Sequence, residues 1–376
     1  MNSILSEISL LRKDTPIVID TKNSNRYRVV TFETNGSKTA YYFSAPIYNN
    51  KTRRAVDMKF HSKNESVYLT GSNANVTITK QHIRMENAEG SCVISLSTQA
   101  TQVSDHEMIF GTEQLSPTTN GIAIKSNCHD GKPYTFSIET STPFWEPKAN
   151  DKYFALMSGK FRPFGCISCI GTLDENENVI APAKLSYQKI ADRKYTLTVK
   201  PCSDIGKTVL IEANLYEPKL FQDTTVESLH PTLNNAFGSI GFIGATKEFG
   251  EQWLYTRPDF SKMTELNDKK ILHAILHLPK LNDAAMELTT SKVAARFCSF
   301  GSTWDNKITE TSSLSNSEIA DFYIDLDLTS MLSDKHGRLA KGEGFILKAK
   351  KEYCGYSVIA TGDNCFTPQI LEINYK

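Results

Sequence analysis

The chain has 376 residues, enough for two or three domains at roughly 150 residues each. Its 42 basic residues cancel its 42 acidic ones, so no global field favours nucleic acid or an anionic membrane. Hydrophobic residues at 40% and aromatics at 10% suit packed cores and exclude a disordered chain. No apolar run reaches the roughly 20 residues a membrane-spanning helix needs, so membrane insertion is not expected.

At the N-terminus, Ile4, Leu5, Ile8 and Leu11 fall at helical spacing and predict a short amphipathic helix. That stretch lacks the basic start, apolar core and small-residue cleavage site of a classical signal peptide. The expectation is a protein made in the cytoplasm and carried in a released particle or a surface-exposed assembly. Asn35-Gly36 then separates residues 27–34 from 38–45 and predicts a hairpin. Period-two alternation follows in Val76 and Ile78, in Tyr195, Leu197 and Val199, and in Val209, Ile211, Ala213 and Leu215. Further on it recurs in Ile324, Leu326 and Leu328, and in Leu371, Ile373 and Tyr375. Asn120-Gly121, Asp130-Gly131 and the polar stretch 174–178 punctuate these runs. A second helix is expected over 315–322, where Ser315 and Glu318 have capping-box spacing. The fold class is all-β: tandem antiparallel β-sandwich, jelly-roll-like domains with a short N-terminal helix.

Two breaks suggest boundaries. Pro143 and Pro147 interrupt the strand pattern, and Pro218 follows the strand ending at Tyr216. The expected division is an N-terminal sandwich over 1–142, a small middle β domain over 143–218, and a C-terminal sandwich over 219–376. The middle segment is small enough to share sheets with the first.

Eight cysteines, at 92, 128, 166, 169, 202, 298, 354 and 365, are an ordinary density for this length. Only Cys166 and Cys169 form a Cys-x-x-Cys, and in a strand over 164–170 that spacing sends the two side chains to opposite faces. They read as buried free thiols, with a metal or redox role as the competing reading.

Few residues point to reaction chemistry. Asp325 and Asp327 lie one strand period apart, roughly 6.5–7 Å, within the range of inverting glycosidase carboxylates. A solvated strand face explains them more simply. His273 and His277 share a strand face two periods apart, and read as core or surface histidines rather than metal ligands. The sequence lacks a Gly-x-Ser-x-Gly elbow, a His-Glu-x-x-His helix, a Walker A loop and a dinucleotide glycine motif. The glycine-rich stretch from Gly238 through Gly241 to Gly244 lies between β segments and reads as a bend or bulge.

From Asp223 to Tyr375 the chain resembles the DNRLRE-type, disaggregatase-related family of carbohydrate-binding-like β-sandwich modules. Asp223-Thr224-Thr225-Val226, Pro231-Thr232-Leu233-Asn234 and Gly238 are similar to the family's opening strand and loop. Gly244, Trp253-Leu254-Tyr255, Arg257, the run 271–278, Trp304 and the run 322–328 follow in the family's order. The closest parts are Gly342 to Lys348, and Asp363-Asn364 followed by Pro368 to Tyr375. Cys365 stands where the family's motif has arginine. The resemblance implies a β-sandwich, and in relatives a carbohydrate-binding role.

Sugars present apolar C–H faces that stack on flat aromatic rings while polar side chains meet their hydroxyls. Trp253 and Tyr255, on one strand face, and Trp304 with Asp305 and Asn306 are therefore the glycan-binding candidates. The alternative for each tryptophan is a place in the sandwich core. No cofactor is expected. Jelly-roll modules often hold a structural calcium ion, and the sequence, without an EF-hand-like string, leaves the metal question open. Three functions compete. The first is a non-catalytic structural and adhesive subunit of a phage-tail-like particle or surface appendage. The second is a free-standing carbohydrate-binding protein or accessory module of a polysaccharide-degrading system. The third is a hydrolase or lyase with an unfamiliar site. The first is the preferred expectation, with assembly neighbours or self-association and a cell-surface or plant polysaccharide as partners.

Overall fold

A computed structural model describes residues 4–13, 15–49, 54–55, 58–63, 66–69, 75–96, 100–128, 132–141, 145–202, 208–216, 219–283, 285–350 and 355–376. Strands make up 57% of the chain and helix 4%, which places it in the all-β class. Asp130-Gly131, Pro143, Pro218 and Cys354 lie outside the described residues.

Two compact units emerge, with a division other than the one expected from the prolines. One unit comprises Met1–Ala55, Lys219–Ala236 and Ile240–Lys376; the other comprises Val56–Pro218 and Phe237–Ser239. The reason is ladder pairing. Strand Lys38–Phe43 pairs along its whole length with the C-terminal strand Ile370–Tyr375, so the first hairpin belongs with the last third of the chain. Residues 143–218 do not stand apart either. Strand Thr208–Leu215 pairs with Gly121–Asn127 on one side and Arg162–Leu173 on the other. The break around Pro147 falls where the chain passes from strand Tyr134–Thr140 in one sheet to Lys148–Ala149 in the other, within a single unit.

The unit containing both chain ends is a sandwich. One sheet runs Arg28–Phe32, Lys38–Phe43, Ile370–Tyr375, Ile271–Pro279, Tyr323–Asp327. The other contains Leu288–Val293, Phe345–Ala349, Gly250–Pro258, Ile240–Thr246 and Tyr356–Ala360, with Phe221–Glu227 paired to Gly250–Pro258. Strand Glu310–Ile319 pairs with both Tyr323–Asp327 and Leu288–Val293 and joins the two. Between the sheets lies one core, in which Val30, Ala40, Tyr42, Leu276, Ile324, Leu371 and Ile373 meet Ile243, Leu254, Leu347 and Ile359. Each full burial of such a side chain stabilises by roughly 1.5–3 kcal/mol.

The hairpin expected at Asn35-Gly36 is present, with Gly36 at a φ of 80°. The N-terminal helix spans Ile4–Leu11. It lies on the reverse face of the first sheet, where Ile8 is buried with Val29, Tyr41, Phe43, Tyr323 and Ile370. Arg12 fastens its end, donating to Glu33 at 2.6 and 2.9 Å and to Thr31 at 2.9 Å.

The helix expected over 315–322 is instead part of strand Glu310–Ile319. Ser317 pairs across to Leu326, and its hydroxyl accepts the Leu288 N–H at 2.7 Å. Ladder hydrogen bonds on both edges outweigh a local capping pattern in a serine-rich segment of weak helix propensity.

The second unit is also a sandwich. One sheet centres on Gly121–Asn127, Thr208–Leu215, Arg162–Leu173 and Tyr153–Gly159. The other centres on Lys194–Pro201, Tyr134–Thr140, Gly90–Ser95 and His82–Asn87. Its core joins Ile124, Phe154, Ile167 and Ile211 to Ile83, Ile94, Phe136 and Leu197. Turns form at Asn120-Gly121 and at 174–178, where Asp174 accepts the N–H groups of Asn176 and Asn178 at 2.9 and 2.8 Å.

Candidate functional site

Alternation along Gly250–Pro258 decides which side chains face the core. Gln252, Leu254 and Thr256 point inward, while Trp253, Tyr255 and Arg257 occupy the reverse face. Register brings Val226 opposite Trp253, and Ile346 opposite Tyr255. The chain from 294 to 309 leaves the strand Leu288–Val293, crosses this face and returns, closed by the Ala294 N–H donating to Thr309 at 2.9 Å. Under it lies a small second core of Val226, Tyr255, Val293, Phe297 and Ile346, with Trp253, Trp304 and Ile308 at its margin.

This excursion separates the sequence candidates. Tyr255 is 0% exposed, with its ring 5.7 Å from Phe297 and its hydroxyl donating to the Ile308 carbonyl at 2.7 Å. Burial pushes its phenol well above the ordinary range. Its expected place in a glycan platform is corrected: the loop covers it, and it is a core residue.

Trp253 and Trp304 are half-buried and meet at the loop's margin, ring centroids 4.7 Å apart and planes inclined at 49°. Trp253 donates its indole N–H to Glu251 at 2.8 Å. Two ammonium groups flank the pair. Lys348 lies 3.9 Å from the Trp253 ring centre and 3.0 Å from a Glu310 oxygen. Lys307 lies 4.4 Å from the Trp304 ring centre, 5.7 Å from that of Trp253, and donates to the Trp304 carbonyl at 3.2 Å. Such contacts are worth roughly 0.5–1 kcal/mol at partly exposed sites and hold the rings in fixed poses.

Asp305 and Asn306 are exposed beside them. Asn306 ties the loop, accepting the Thr303 N–H at 2.7 Å and donating to Gly301 at 2.9 Å. The structure thus assembles four of the five candidates and adds Glu251, Lys307, Glu310 and Lys348, which sequence reasoning missed. Lys307 follows Trp304 by three residues, a signal that was readable. Lys348 could be placed only once the Gly250–Pro258 and Phe345–Ala349 register was known.

A scan against protein-family models gives no match. A search of curated proteins gives none either.

The other chemistry-bearing residues occupy different surroundings. His277 is 3% exposed, with Nδ1 2.8 Å from Asp325 and Nε2 3.4 Å from Glu372, and its ring edge meets Tyr323 at 5.8 Å. Burial alone lowers its pKa, but the two carboxylates carry it above the ordinary value. His273, two periods away, is exposed. Asp327 accepts the Thr329 N–H at 2.8 Å, so Asp325 and Asp327 share a face but serve separate partners. Among the described residues, no group of three or more His, Cys, Asp or Glu is arranged to hold a metal ion.

The seven described cysteines are thiols outside any disulfide. Cys169 is in the core, whereas Cys166, on the other face, directs its sulfur to the Phe237 carbonyl at 3.6 Å. Cys298 departs from the expectation of buried thiols and is exposed. The Asp363-Asn364 turn is a structural fastening. Asp363 pairs with Lys219, and the Asn364 side-chain oxygen Oδ1 accepts the N–H groups of Phe366 and Thr367 at 3.0 and 2.7 Å. Asp223 accepts the adjacent Gly362 N–H, and burial pushes its carboxyl up to about 6 against the opposing pull of Lys219.

Proposed function

We propose that this chain is a non-catalytic structural and adhesive subunit of a phage-tail-like particle or surface appendage, and that Trp253 and Trp304 bind carbohydrate. The observation that carries the binding reading is the tilted tryptophan pair at the margin of the 294–309 excursion. Two partly exposed indoles fixed at an angle offer a sugar ring apolar surface on two sides. The Lys307 ammonium, the Asp305 carboxylate and the Asn306 amide stand near enough in the chain to meet its hydroxyls. The resemblance of residues 223–375 to carbohydrate-binding-like modules supports the same reading. The fitting ligand is a cell-surface or plant polysaccharide. A shallow polar site gains little after ordering and desolvation, so single-site affinity is weak and repeated copies in an assembly raise it by avidity.

The test is a glycan panel read by tryptophan fluorescence, alongside the native mass of the chain. Trp304→Ala should abolish saturable binding and leave the melting temperature within about 4 °C, the shift of a small loss in a domain this size. The native species should be a ring or fibre. If no glycan binds saturably, or Trp304→Ala binds as the parent does, the carbohydrate role fails; a monomer at high concentration removes the assembly role.

A further inference from the structure

The unit without the tryptophan pair carries a cavity of about 220 Å³ over its Gly121–Asn127 sheet. Ile122 and Ile124 face the core, so Lys125 and Asn127 lie on the outer face, where the cavity opens. Strand register builds the floor. Asn127 stands opposite Thr208, and Thr208 opposite Leu173, so the three form one row across three strands. Gln114, opposite Lys125, closes one side. The other wall is the turn after Arg162–Leu173, with Asp174, Glu175 and Glu177. Glu177 has a φ of 68°, a conformation glycine adopts more readily, and its carboxylate reaches the Lys125 ammonium. Such backbone outliers collect at functional sites.

The lining mixes donors with acceptors. Asn127 accepts the Thr208 hydroxyl at 2.6 Å through Oδ1, which leaves its amide nitrogen to donate. Gln114 donates to Glu107 at 2.5 Å, which leaves its Oε1 to accept. Leu173, buried, supplies apolar surface. That set suits a small C–H framework ringed by hydroxyls. Charge narrows the choice. Three carboxylates line the cavity against one ammonium, and Glu177 already engages that ammonium. Among the described residues, the exposed Glu175 carboxylate makes no ion pair and accepts no hydrogen bond. An anion is therefore repelled and a cation attracted. The volume takes one sugar-sized ring and falls short of the roughly 300–1,000 Å³ of pockets for drug-sized ligands.

We propose that this cavity binds a hexosamine, a sugar ring carrying a free ammonium group. The ammonium pairs with Glu175, the ring hydroxyls meet Asn127 and Gln114, and the C–H face rests on Leu173. This site belongs to a different unit from Trp253 and Trp304 and stands or falls separately from them. A lysine side chain of a peptide brings the same charge. It offers no hydroxyls to the Asn127 amide or to the Gln114 side-chain oxygen, and so uses only one wall.

The test is titration calorimetry on the full chain at pH 6, where the sugar amine is protonated. The probes are glucosamine, glucose, N-acetylglucosamine and, as a lysine mimic, Nα-acetyl-lysine amide. Glucosamine should bind saturably and at least about tenfold more tightly than the other three, the worth of one hydrogen bond to a charged group. Glu175→Gln should bring glucosamine down to the level of glucose. That position is exposed, so the melting temperature should hold. Trp304→Ala should leave glucosamine binding intact. Glucose or N-acetylglucosamine binding as tightly as glucosamine, indifference to Glu175→Gln, or no saturable binding overturns the proposal. Equal binding of the lysine mimic also overturns it, in favour of a peptide.

Discussion

His277 shows how far a buried side chain's chemistry depends on strands distant in sequence. Strand register sets it directly across from Asp325, while Glu372 reaches it diagonally from the strand on its other side. The neighbouring groups are Tyr323 at the ring edge, Glu318 across from Asp325, and Tyr41, whose phenol lies in the field of Glu372. Protonated, the imidazole donates to both carboxylates; neutral, it leaves two partly buried anions sharing one donor. Its folded pKa is raised above the ordinary 6.5, so the folded state binds the proton more tightly than the unfolded chain. The stabilisation is therefore complete below pH 6.5 and is lost as pH rises through the folded value. Urea titrations from pH 5.5 to 8.5 should show stability falling as pH rises through the folded value. His277→Gln should remove that decline and be the less stable protein at pH 5.5. A parent protein whose stability is flat or rising through this window contradicts the assignment. Nothing in the sequence announced this triad. His277 and Asp325 were each legible as strand residues, but their partnership exists only in the register.

At the scale of the element, strands were legible because one buried face imposes a period of two. The runs around Leu197, Ile211, Leu326 and Ile373 all became strands with those residues inside. Segments that are polar on both sides carry no such period. For that reason Glu310–Ile319 was misread at its C-terminal half, and the covering excursion 294–309 went unseen. Tyr255 was misplaced for the same reason, since alternation gives a face but not what lies over it.

Glycines divide similarly. Gly244, in the middle of Ile240–Thr246, has a φ of 132°, and a Cβ there would stand 2.3 Å from the Gly355 carbonyl oxygen. Gly342 meets nothing within 4 Å. In the sequence the two look alike. Gly244→Ala should cost at least roughly 1–3 kcal/mol from backbone strain, with the close approach adding to it. Gly342→Ala should stay within about 0.5 kcal/mol of the parent. Equal midpoints for the two variants in guanidinium unfolding would remove the close-approach explanation.

For the whole molecule, prolines mark where one strand gives way to the next, and strand pairing need not follow chain order. The sequence therefore showed sandwiches but not their membership. What assigns the first 55 residues to the last third is the side-by-side pairing of Lys38–Phe43 with Ile370–Tyr375, together with Val30, Ala40 and Tyr42 in the shared core. Residues 219–376 produced alone would lose those three side chains from one end of their core. They would also leave Ile370–Tyr375 as a bare edge, with unpaired N–H and C=O groups ready to join another chain. The missing apolar burial alone is roughly 1.5–3 kcal/mol for each large side chain, a substantial fraction of the 5–15 kcal/mol that holds a domain together. The isolated segment should be aggregated or melt without cooperativity. Residues 1–55 joined to it through a long flexible linker, or supplied on a second chain, should restore a single cooperative transition. Size-exclusion chromatography and thermal melts of the isolated and the joined forms decide the matter. A monomeric 219–376 segment with a sharp transition as steep as the fused form would mean that the first hairpin decorates a complete sandwich instead of closing an incomplete one.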